Sequence, residues 1–107
     1  MLDPEKIYQS IMEAAKEWVA ADEEARRLAK LEKVVLAEIS NQHDQSLSYP
    51  VRQSLALASP EYRLHITNMV AAKTQANITL ARYKAAQSLA ELRRSQESSR
   101  RAEMGIK

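Results

Sequence analysis

Apolar side chains recur along the first third of the chain in steps of four and three: Ile7, Ile11, Ala14, Trp18, Ala21, Ala25 and Leu28. The stripe continues with a small drift through Leu31, Val35 and Ile39. Such spacing keeps one face of an α-helix apolar while the positions between stay polar. Asp3 followed by Pro4 marks the start. An aspartate accepts from free N–H groups, and the fixed φ of proline suits the first helical position. No glycine or proline follows before Asn41, so the pattern predicts one helix over about 4–40, roughly 55 Å at 1.5 Å per residue.

The stretch 41–59 reads as a connector. "NQHDQSLSY" is polar and turn-like, and Pro50 opens a short helix over about 50–58 with Val51, Leu55 and Ala58 on one side. Ser59-Pro60-Glu61 repeats the start signal, and helical pattern then runs from 60 to about 99, leaving a basic tail at 100–107. Two long helices joined by a short one predict an all-α fold: an antiparallel helical hairpin forming a single domain over 1–107.

The second long helix carries two seven-residue ladders. Met69, Ala76, Tyr83 and Ala90 form one, and Ala71, Ile78, Ala85 and Leu92 the other, about 200° away around the axis. One partner helix covers only the first. Self-association into a helical bundle, with a dimer as the simplest case, is the expected cover for Ile78, Ala85 and Leu92.

Composition agrees with helices and removes other classes. Seventeen of the 107 residues are alanine, one is glycine, three are proline, and phenylalanine and cysteine are absent. Disulfides and thiolate metal sites are therefore excluded. The N-terminal "MLDPEKIYQS" lacks the character of a signal peptide, and no apolar run is long enough to cross a bilayer, so the cytoplasm is the expected compartment and no membrane partner is expected.

The net charge of +2 hides a gradient. Residues 1–38 hold six basic and nine acidic side chains, net −3, while residues 82–107 hold seven and three, net +4. Antiparallel pairing would set Glu13, Glu17, Asp22, Glu23 and Glu24 against Arg82, Lys84 and Arg93, each exposed pair contributing at most about 1 kcal/mol.

Chemistry is sparse. Glu61 and His65 stand four apart on the second helix and read as a surface contact; His43-Asp44 sits in a turn. The lone Gly105 offers no phosphate-cradling loop, and the serines lack a neighbouring base. A helical hairpin also offers little concave surface. No catalytic residue, metal ligand or cofactor is expected, and the chain is not expected to be an enzyme. Trp18 falls on the main stripe of its helix and reads as a core anchor, as do Tyr62 and Tyr83; Tyr8 and Tyr49 are expected to be exposed.

The end of the chain, "ELRRSQESSRRAEMGIK", carries Arg93, Arg94, Arg100 and Arg101, with Arg82 eleven residues before Arg93. On a continuous helix these form a basic strip fit to follow phosphates, with Glu91, Glu97 and Glu103 interleaved and no exposed aromatic beside it. A helix C-terminus also attracts basic residues through its dipole.

The connector "VRQSLALASPEYRLHI" and the closing "LRRSQESSRRAEMGIK" resemble a class of small helical accessory proteins of tailed phages and prophages. The resemblance implies a phage accessory protein of the kind often found beside recombination or replication genes, with no catalytic residue and with Arg93, Arg94, Arg100 and Arg101 as its matching closing motif; a non-enzymatic role in DNA recombination or replication is the function expected from it. DNA or a DNA-handling protein is the expected partner of Arg82, Arg93, Arg94, Arg100 and Arg101. Two other readings fit the same rods. One is an inhibitor or adaptor directed at a host nuclease or defence complex, with Asp22, Glu23 and Glu24 imitating DNA. The other is a virion or scaffold component.

Overall fold

The computed structural model describes residues 3–105, and every element in it is helical: α1 (Pro4–Asn41), α2 (Tyr49–Leu57) and α3 (Pro60–Gly105). The start signals act as their chemistry requires. Asp3 Oδ1 accepts the N–H of Glu5 at 3.1 Å, and the Asp3 carbonyl takes the first helical bond from Ile7. Ser59 serves both sides of its joint: its hydroxyl donates to the Ala56 carbonyl at 2.6 Å and accepts from the Tyr62 N–H at 3.2 Å. One side chain thereby closes α2 and caps α3.

The turn after α1 is organised by Asp44, whose carboxylate accepts the Ser46 N–H at 2.9 Å. That bond holds the Asp44 carboxyl below its ordinary range. Gln45 donates to the carbonyls of Asn41 and His43 and accepts from Arg52, whose guanidinium lies 5.6 Å from the centre of the Tyr49 ring. No described residue has a positive φ, so neither connection needs glycine.

One boundary differs from expectation. α3 continues through Gly105 instead of stopping near Ser99, because Glu97 lies three and four residues before Arg100 and Arg101 and pairs with both. The predicted tail is thus helix as far as Gly105; Ile106 and Lys107 lie outside the described residues. The contacts of the chain group into two compact units. One comprises residues up to Val19 with those from Asn77 onward, the other Ala20–Ala76.

In the Ala20–Ala76 unit, α2 joins the segments of α1 and α3. Ile39, Ser40 and Ala56 are buried here, and the Ser40 hydroxyl is satisfied by the Leu36 carbonyl at 2.7 Å. Polar bonds cross from α3 to α1. Tyr62 donates to Glu32 Oε1 at 2.9 Å, and His65 Nε2 lies 3.0 Å from the Leu28 carbonyl. A carbonyl only accepts, so Nε2 carries the hydrogen. As α1 positions rise from 28 to 32, their α3 partners fall from 65 to 62, which is antiparallel pairing.

In the other unit the α1 segment again meets α3 antiparallel. Trp18 stacks on Tyr83 with ring centres 5.7 Å apart and planes 16° apart, as befits two of the three expected core anchors. Along α3 the ladder of Met69, Ala76, Tyr83 and Ala90 is buried or half-buried, whereas Ala71, Ile78, Ala85 and Leu92 are all exposed. The single stripe facing α1 is the one a lone partner helix can cover.

Candidate nucleic-acid interface

The ion pairs do not follow the sequence expectation. Asp22 pairs with Arg26 at 2.8 Å and Glu24 with Arg27 at 2.7 Å, both along α1 itself. Among the described residues every ion pair lies within one helix, and the expected partnership of Asp22, Glu23, Glu24, Glu13 and Glu17 with Arg82, Lys84 and Arg93 is not formed. The reason is local: neighbours three and four apart on a helix already face each other, so pairing orders fewer bonds than reaching across a seam. The Arg27 hydrogen bond holds the Glu24 carboxyl below its ordinary range, and Glu24 in turn raises the Arg27 guanidinium.

Four of the five predicted arginines do come together. Arg93, Arg94, Arg100 and Arg101 line a groove of about 860 Å³ whose apolar wall is supplied by Ile7, Ile11, Leu89, Ala90 and Leu92. Arg82 is exposed and does not line it. Residues seven apart project alike, so Arg93 pairs in direction with Arg100 and Arg94 with Arg101, the two pairs about 100° apart. The groove opens where α1 begins: Pro4 lies on its rim, and from Ser98 through Gly105 every residue of α3 is exposed. Arg93 differs from the other three. It sits half-buried on the seam beside Ile7 and Ile11, its stem against the apolar wall.

Within the groove one carboxylate, Glu97, stands against four guanidinium groups. It lies 3.7 Å from Arg100 and 3.8 Å from Arg101, longer than well-formed charge-assisted bonds. Three positive charges therefore remain unbalanced in the lining, on exposed or half-exposed side chains.

Sequence reading missed Tyr8. It lines the same groove and is 63% exposed, so the arginines do have an aromatic neighbour. Its position one residue after Ile7 turns it off the core stripe, and the antiparallel register sets it near the end of α3. Those two facts together were the available signal.

The remaining candidates are structural or solitary. His65 is engaged with the Leu28 carbonyl rather than Glu61, and among the described residues no group of three metal-ligating side chains gathers. His43 is half-buried in the turn after α1. No helix among the described residues is long and apolar enough to cross a membrane. Comparison with protein-family models, with curated proteins and with solved structures finds no match.

Proposed function

We propose that the chain is a non-enzymatic accessory of phage-type DNA recombination or replication, working in the host cytoplasm and holding single-stranded DNA in the groove at the end of α3. The observation that carries this reading is the placing of exposed Tyr8 among Arg93, Arg94, Arg100 and Arg101. A single strand offers phosphates on one side and unstacked bases on the other. Guanidinium groups meet the first and an aromatic face meets the second, with little regard to sequence. The lining holds one carboxylate, one phenol and no histidine, a set suited to binding rather than to proton transfer. The resemblance of the closing motif to phage accessory proteins points the same way. The alternative of a DNA-imitating acidic face is weaker, because Asp22 and Glu24 are already paired with arginines of their own helix.

The test is fluorescence anisotropy of a labelled single strand titrated with the intact chain. With about four phosphates engaged, a fourfold rise in salt should weaken binding roughly fifty-fold. Tyr8→Ala should weaken it about tenfold at constant salt, since stacking contributes about 1–3 kcal/mol per base. Absence of binding at low salt, or affinity indifferent to salt, overturns the proposal.

A further inference from the structure

Buried apolar side chains are unequally shared. Among the described residues they are Ile39, Ala56 and Ala76, all in the Ala20–Ala76 unit. Among the described residues of the unit formed up to Val19 and from Asn77 onward, Thr79 alone is buried. Its α3 segment nevertheless keeps an exposed face of Ile78, Ala81, Ala85, Ser88, Leu89 and Leu92, in which Arg82 is the only charge. Ile78 is 41%, Leu89 50% and Leu92 55% exposed. Solvated helix faces are normally rich in charge, as α1 is at Lys16, Glu17, Glu23 and Glu24. Small folds without sufficient core obtain it by association.

We propose that this face is covered by the same face of a second copy, the two α3 helices running antiparallel about a twofold axis at Ala85. The spacing is self-complementary. Turning α3 end for end about Ala85 sets Ile78 against the second copy's Leu92 and Ala81 against its Leu89, so large meets small or branched throughout, and Ala85 meets itself where the backbones approach closest. Charge selects the direction. A parallel pair would stack Arg82 on Arg82 and bring both sets of Arg93, Arg94, Arg100 and Arg101 side by side, whereas the antiparallel pair sets Arg82 against Ser88 and separates the basic ends.

The arrangement has a functional consequence that rests on the DNA-binding reading. Glu97, in the middle of the arginines, lies twelve residues beyond Ala85, so two grooves would stand about 36 Å apart along the helix direction. One long strand then reaches both, and its second contact becomes intramolecular.

Sedimentation equilibrium of the intact chain decides the matter. The expected species has twice the 12.1 kDa of one chain, and Ala85→Glu, which sets two carboxylates on the axis, should return it to the single-chain mass with helical circular dichroism retained. A single-chain mass at every concentration, or a trimer, overturns the proposal. Direction is read by disulfide trapping, since the chain has no cysteine of its own. A mixture of Ile78→Cys and Leu92→Cys chains should cross-link one to the other; Ile78→Cys cross-linking to itself instead overturns the antiparallel pairing. Leu89 and Leu92 belong both to this face and to the apolar wall of the groove, but Tyr8, Arg94 and Arg101 lie off the pairing face, so Ala85→Glu should keep the affinity for a short oligonucleotide and lose a gain of at least about tenfold on a long one. Loss of short-strand binding in the unsubstituted chain would sink the DNA reading alone, and the mass would still judge the pairing.

Discussion

Between Ala20 and Ala76 three helices meet, whereas the unit built from residues up to Val19 and from Asn77 onward is made of two helical segments. The first is closed by side chains with defined polar partners: Tyr62 on Glu32, His65 on the Leu28 carbonyl, Ser59 on both sides of its joint. The second carries the aromatic stack of Trp18 on Tyr83, and beyond it the arginines of α3 remain exposed or half-exposed beside Tyr8. The contrast separates holding from reaching. Where α2 supplies a third surface, polar groups are spent on each other; where it does not, Tyr8, Arg94, Arg100 and Arg101 stay exposed.

The contrast can be broken first at the stack. Trp18→Ala removes a half-buried indole and its ring partner, and should cost about 3 kcal/mol, from roughly half the burial of a core tryptophan plus the aromatic pair. Thermal unfolding followed by circular dichroism measures it; a loss under about 1 kcal/mol would mean that the stack does not hold its unit. Next comes Ala56, the fully buried residue of α2. Ala56→Leu should overfill that site and cost about 2 kcal/mol, while leaving single-strand binding unchanged. If binding fell with stability, the division of labour between the units would be wrong.

A smaller effect is expected at Tyr62. Hydrogen bonding to Glu32, together with burial, raises the Tyr62 phenol above its ordinary range. A group with a raised pKa in the folded chain contributes stability below its unfolded value, and that contribution is lost as pH climbs through the folded value. Alkaline titration above about pH 10 should therefore unfold the native chain in part through Tyr62. Tyr62→Phe should cost about 1 kcal/mol or less at neutral pH and flatten that alkaline limb. An unchanged limb would show that the bond to Glu32 is not maintained in solution.

Much of this was legible in the chain itself. Asp3-Pro4 and Ser59-Pro60 mark helix starts by a mechanism, capping plus a preset φ, and both act as written. The stripe through Trp18 and the ladder through Tyr83 name the residues that meet. Other features could not be read. The end of α3 was hidden because Ser95, Ser98 and Ser99 resemble a stop, while the pairing of Glu97 with Arg100 and Arg101 carries the helix past them. The charge gradient implied pairing between helices, yet it is blind to the nearer partners that Asp22 and Glu24 have on α1. The backbone acceptor of His65 leaves no mark in side-chain spacing. Tyr8 was hidden differently: its exposure followed from the stripe, but its company among arginines needed the register of both helices at once.

The salt dependence of single-strand binding tests the central claim most directly. Each phosphate engaged contributes about 0.7 to the slope of log affinity against log salt. Replacing Arg94 and Arg101 together by glutamine should therefore lower that slope by about 1.4 and leave the thermal midpoint unchanged. A slope equal to that of the unsubstituted chain would contradict a phosphate-binding groove at the end of α3.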